Sequence, residues 1–227
     1  MTFSKRLRET ADEIWAQSHK HPFVQGIGDG SLDIESFKFF MKQDYVYLID
    51  YARVFAVGSL KATRLETMAA FAKHLDATLN VEMGLHRSYA ARLGITREEL
   101  EATKPAPTTL AYSSYMLAIG QRGSLAELIA AVLPCAWSYY EIGKELAKRP
   151  GATEEETYGE WISMYASDEF GEIAQWLIDL LDELATGRSE EELQELEKIF
   201  LNTSRFEYMF WEMSYQQATW PLAETAE

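Results

Sequence analysis

A single cysteine, Cys135, stands among 227 residues, which leaves no room for a disulfide within the chain and fits a reducing, cytoplasmic setting. Basic residues are scarce: 21 lysines and arginines face 36 acidic residues, for a net charge of −15. Such a field repels polyanions, so no nucleic acid and no anionic membrane surface is expected as a partner. Long hydrophobic runs are missing, none approaching the ~18 apolar residues of a membrane span, and the opening MTFSKRLRETADEIW lacks the apolar centre of a secretory signal. Histidines number four, too few for a rich metal centre. Six prolines and 13 glycines are also few, and they sit mostly between long periodic segments. That sparseness points to an all-α protein. No internal repeat and no polar linker divides the chain, so residues 1–227 are expected to form a single helical domain.

What is abundant is aromatic: 12 tyrosines, 11 phenylalanines and six tryptophans. The stretch around which they gather is 124–148. Ser124 with Glu127 forms a capping box, and Leu125, Leu128, Ile129, Val132, Leu133 and Trp137 cover nearly every side of the helix, as in a buried one. Pro134 interrupts it, removing the partner of the Ala130 carbonyl at a cost of roughly 3 kcal/mol. Cys135 follows, with Tyr139 one turn on along the same face. A thiol in that setting is either a nucleophile or a small packing residue, since free cysteine is often simply buried.

Elsewhere the periodicity gives helices over 4–20, 33–63, 65–93, 96–103 and 108–120. A further helical segment covers 154–186, interrupted near Ser167-Asp168. The last runs from 190, behind a Ser189/Glu192 capping box, to about Thr219. HPFVQGIGDGSL at 21–32 reads as a structured turn, with His21 either a haem ligand or hydrogen-bonded at a helix end. Asp44 lies within the stripe Phe37, Phe40, Tyr47, Tyr51 and Phe55, where a carboxylate must be paired or its pKa rises. It is either a structural acceptor for tyrosines or part of a site for an aromatic ligand. Glu82 and His86 share a face; an intrahelical hydrogen bond explains them better than a metal, because Glu-x-x-His is the usual bundle spacing and no second copy exists.

Four segments, HPFVQGIGDGSL, QDYVYL at 43–48, LPCAWSYYEIG at 133–143 and FEYMFWEMSY at 206–215, occur in an order that resembles the TenA/thiaminase II family over nearly the whole chain. The resemblance implies a haem-oxygenase-like helical bundle, commonly a homotetramer. It also implies hydrolysis of 4-amino-5-aminomethyl-2-methylpyrimidine to the hydroxymethyl pyrimidine and ammonia, and cleavage of thiamin. It places the catalytic roles on Cys135 and Glu207, and substrate binding on Asp44, Tyr47, Tyr112, Tyr139 and Tyr165, with no metal or organic cofactor. Two alternatives remain: a pyrimidine-binding or regulatory protein without turnover, and a metal- or haem-dependent oxidase using His21 and His86.

Overall fold

A computed structural model describes residues 2–222, which are helical with no strand among the described residues. The first helices are α1 (Phe3–Thr10), α2 (Asp12–Lys20), α3 (Pro22–Asp29) and α4 (Ile34–Lys61). After α5 (Leu65–Ala77) comes a π-helical turn, Thr78–Glu82, that leads into α6 (Met83–Arg92). Then follow α7 (Arg97–Ala102), α8 (Pro107–Arg122), α9 (Leu125–Leu146), α10 (Gly159–Tyr165), α11 (Asp168–Ala185) and α12 (Glu190–Gln216). No described helix is long and apolar enough to cross a membrane.

The centre is α9, which packs against α4, α8, α10, α11 and α12. Fourteen of its 22 residues are buried, as expected for a helix apolar on all sides. Its start is the Ser124/Glu127 capping box, with both reciprocal bonds made. Pro134 does not end the helix, because burial on every side holds the chain in place despite the lost bond. Gly143, near its C-terminal end, is obligatory for packing: a Cβ there would stand 2.6 Å from the backbone carbon of Tyr165. The close approach brings the end of α10 directly onto α9.

Four boundaries differ from the sequence reading. Residues 21–32 are not a turn but mostly helix, α3. Proline at the first helical position loses nothing, since its N–H would be unpaired there anyway, and the His21 ring accepts the Phe23 N–H as an N-cap. Gly26 and Gly28 serve close contact with Leu32 and with Leu146 and Arg149, while only Gly30 adopts the left-handed conformation that ends the helix. The 65–93 segment is split by the π-helical turn, and 4–20 breaks at Ala11. The last helix stops at Gln216, short of Thr219, with Gln217 left-handed at φ 49°. The break near Ser167-Asp168 is present, and Ser167 caps α11 by accepting the Phe170 N–H.

Candidate active site

Helix α4 carries Asp44, Tyr47, Tyr51 and Phe55 at spacings of three and four, so all four point the same way. They form one wall of a cavity of about 290 Å³. Across from them α9 contributes Cys135 and Tyr139, α10 contributes Tyr165, and α11 contributes Phe170 and Ile173. The π-helical turn closes another side with Thr78, Val81 and Glu82. Such single-turn π segments recur at functional sites.

Aromatic rings give the cavity its stiffness. Tyr47 stacks on Tyr51 at 5.6 Å, and Tyr139 meets Tyr165 at 4.8 Å and Trp211 at 4.9 Å. Edge and offset contacts of this kind are favoured by the ring quadrupoles. A flat heteroaromatic ligand would find faces to stack on and phenol hydroxyls at its rim.

Asp44 is buried, and its Oδ2 lies 2.6 Å from Nε2 of His86. The other ring nitrogen, Nδ1, faces the Glu82 backbone carbonyl at 3.1 Å. A carbonyl can only accept, so Nδ1 carries a proton, and an ionised Asp44 requires one on Nε2 as well. Burial works against the charge on His86, but the hydrogen bond to Asp44 and the charges of Asp44 and Glu82 raise its pKa above the ordinary value. Asp44 thus favours the protonated form of the His86 ring. The expected intrahelical bond is made to the Glu82 backbone; the Glu82 carboxylate faces the cavity instead.

Cys135 is half-buried, opening on the cavity it lines. Burial and the charge of Glu207 push its thiol well above the usual range, with the Tyr47 hydroxyl acting in the opposite direction. Glu207 and Tyr112 do not line the cavity. They are buried beside the thiol, and the Tyr112 hydroxyl donates to Glu207 Oε1 at 2.5 Å. Burial raises the Glu207 carboxyl to about 8, against the bond from Tyr112 and with the help of the Asp44 charge. Of the two, the carboxyl titrates nearer neutrality and the thiol holds its proton more tightly. A thiol, a carboxyl raised towards neutrality and a hydrogen-bonded Asp44 side chain thus stand at or beside one cavity.

Of the seven residues singled out in the sequence, five line the cavity: Asp44, Tyr47, Cys135, Tyr139 and Tyr165. Glu207 and Tyr112 adjoin it through Cys135 and through the Tyr47–Tyr112 ring contact at 5.0 Å. The sequence reading placed Tyr51 in the aromatic stripe without giving it a role in the site, and missed the pairing of His86 with Asp44. The i, i+4 spacing of Glu82 and His86 drew attention to the right residues, but only the fold brings α4 and α6 together. His21 is a helix cap whose Nε2 meets Glu212 Oε2 at 2.8 Å. Both ring nitrogens of His21 and of His86 are engaged by protein groups, and neither presents a free nitrogen to a haem or metal.

Comparison with known proteins agrees with this fold. The model of the TENA/THI-4/PQQC family matches residues 8–217. The chain belongs to that family. It is 63% identical over 220 residues to an aminopyrimidine aminohydrolase of Halalkalibacterium halodurans, covering 97% of this chain and 98% of that protein. Another aminopyrimidine aminohydrolase, from Helicobacter pylori, is 44% identical, with 95% of this chain and 100% of the relative covered. Among solved structures, a TenA homologue from P. horikoshii superposes with a TM-score of 0.88 at 30% identity, over 95% of this chain and 99% of that one. A Shewanella denitrificans domain of haem-oxygenase-like fold superposes at 0.72 with 15% identity, over 94% and 90% of the two chains, a likeness of fold alone.

Proposed function

We propose that the chain is an aminopyrimidine aminohydrolase of thiamin salvage, converting 4-amino-5-aminomethyl-2-methylpyrimidine and water to the 5-hydroxymethyl pyrimidine and ammonia, and also cleaving thiamin. The observation that carries this reading is the convergence of Asp44, Cys135 and the tyrosines on one aromatic cavity. The names of the relatives in Halalkalibacterium halodurans and Helicobacter pylori support the same activity.

The residue types suit the chemistry. The C–N bond at the ring's methylene does not break while the ring is aromatic. Glu207, as carboxylate, takes the Cys135 proton, and the thiolate adds to the ring carbon beside the substituted one. The electron pair released into the ring expels the leaving group, as ammonia from an ammonium or as thiazole from a thiazolium. An amine that arrives uncharged takes the proton from Glu207 as it departs. Glu207 passes its first proton to the departing amine, to the released ammonia or to solvent. Water then adds at the exocyclic methylene, the water proton passes through Glu207 to the sulfur, and the C–S bond breaks as the ring regains aromaticity. Asp44, with one oxygen held by His86, offers the other to the 4-amino group. Tyr139 and Tyr165 stack on the ring, and Tyr47 and Tyr112 hold Cys135 and Glu207 in register.

The rest of the proposal concerns assembly and setting. Residues 1–227 act as one domain, supported by a buried core that draws residues from Leu7 to Met213. Homotetramer assembly is supported by apolar surface left at the α4–α5 corner, where Leu60 and Leu65 are 83% and 74% exposed. The lone cysteine supports a cytoplasmic location. The test of function is ammonia release from the aminomethyl pyrimidine by purified protein. Turnover is expected; a pyrimidine that binds and is recovered unchanged would establish the non-catalytic reading instead.

A further inference from the structure

The charges around the cavity do not balance. No lysine or arginine lines it among the described residues. His86, buried behind the wall, is already held by Asp44. The histidine on the wall, His74, is driven down to about 4 by burial and by Lys73, and is neutral in the working range. Glu207 has the Tyr112 hydroxyl as donor. Glu82 is different. It is half-buried on the π-helical turn and lines the cavity, yet its carboxylate accepts no hydrogen bond from any described group. Its electrostatic neighbours are His86, Asp44 and, through the cavity, Cys135, Tyr51 and Tyr165. Glu169 also reaches the cavity, from the first turn of α11, but it is solvent-exposed.

A half-buried carboxylate without a donor is costly unless something cationic completes it. Burial and the Asp44 charge push Glu82 up to about 7, against the pull of His86. The bound molecule is the remaining source of positive charge. Under the proposed function, the group to be expelled is cationic, an alkylammonium on the aminomethyl pyrimidine or a thiazolium on thiamin. The hydroxymethyl product is neutral at the same place.

We propose that Glu82 is a specificity-determining residue that receives the positive charge of the leaving group. The site then selects aminopyrimidines bearing a cation on the 5-methylene and releases the neutral alcohol. Asp44 reads the part common to substrate and product; Glu82 reads the part that differs. The inference rests on the aminopyrimidine reading and extends it to the order in which ligands are held and let go.

The test uses the full chain carrying Cys135→Ser, so that ligands bind without turning over. Affinities for the cationic aminomethyl pyrimidine, for thiamin and for the neutral hydroxymethyl pyrimidine are measured with and without Glu82→Gln. Loss of a charge-assisted contact is expected to weaken both cations at least about tenfold. Binding of the neutral alcohol should change by less than about twofold, since it makes no such contact. Glu169→Gln, at an exposed position where ion pairs contribute little, should leave all three within about twofold. Equal loss for all three ligands would overturn the proposal, showing that Glu82 acts through the Asp44–His86 pair. No loss for any of them would overturn it too, as would a cation-specific loss in Glu169→Gln alone. If Glu82→Gln does not fold, Glu82→Ala carries the same comparison. Failure of the Cys135→Ser protein to bind any of the three ligands would instead remove the aminopyrimidine reading itself, and this inference with it.

Discussion

Replacing His86 by glutamine should disable the pyrimidine anchor without touching any residue that contacts sulfur. In the structure both ring nitrogens meet acceptors, the Asp44 carboxylate at 2.6 Å and the Glu82 carbonyl at 3.1 Å. Both members of the ion pair are buried, at 3% and 4% exposure. Stripping one partner from such a pair costs about 3–5 kcal/mol. The glutamine amide still donates to Asp44 and recovers about 1 kcal/mol. The net loss is about 2–4 kcal/mol, which for a chain of this length lowers the melting temperature by roughly 4–16 °C. Asp44→Asn alone should weaken pyrimidine binding by about 1.5–3 kcal/mol, the worth of a hydrogen bond to a charged group. The decisive assay is a thermal-denaturation cycle over wild type, the two single variants and the double variant. Because two amides facing each other leave no uncompensated charge, the double variant should be more stable than the sum of the singles by about 1–3 kcal/mol. Additivity within about 0.5 kcal/mol would refute the claim that the two side chains form one charged unit.

Two further outcomes follow from the site's packing and protonation. Glu207 and Glu82 are both held above their ordinary carboxylate range, to about 8 and about 7. The folded protein therefore keeps protons that the unfolded chain has already released, and stability should fall as pH rises from about 4.5 towards 8, since it falls wherever the native state binds more protons. Glu207→Gln should flatten that decline in melting temperature, and an unchanged slope would show that burial of Glu207 is not its source. Gly143→Ala should lower stability and turnover together, because the new Cβ would meet the Tyr165 backbone at 2.6 Å and push the α10 end away from the cavity. Comparing its melting temperature and rate with those of Gly120→Ala, whose Cβ would meet nothing nearer than 3.5 Å, checks this.

Much of this site is legible in the sequence, for physical reasons that differ by residue. The central helix is visible because its cap and its all-round apolar pattern are local features, and both appear as expected. Asp44 stands out because a carboxylate in an aromatic stripe must find a partner. Its partner is not legible: His86 lies 42 residues away, and only the packing of α6 on α4 brings them together. The helix at 22–29 is obscured because glycine and proline usually signal turns. Here Pro22 occupies the one helical position that suits it, and Gly26 and Gly28 are required by close neighbours. The π-helical turn escapes for a similar reason. One added residue in the hydrogen-bond ladder leaves the apolar pattern of 65–93 almost unchanged, yet it lies where Thr78, Val81 and Glu82 reach the cavity.

The central claim is that the Cys135 thiol forms a bond to the pyrimidine ring. Cys135→Ser tests it most directly, with ammonia release and pyrimidine affinity measured on the same preparation. Serine fills nearly the same space, but its hydroxyl is a far weaker nucleophile near neutrality. The account predicts that turnover is nearly abolished while the affinity for the hydroxymethyl pyrimidine stays within about threefold, because Asp44 and the stacking tyrosines are untouched. A Cys135→Ser protein that retains most of its turnover would contradict it, leaving Cys135 as a packing residue at the edge of the cavity.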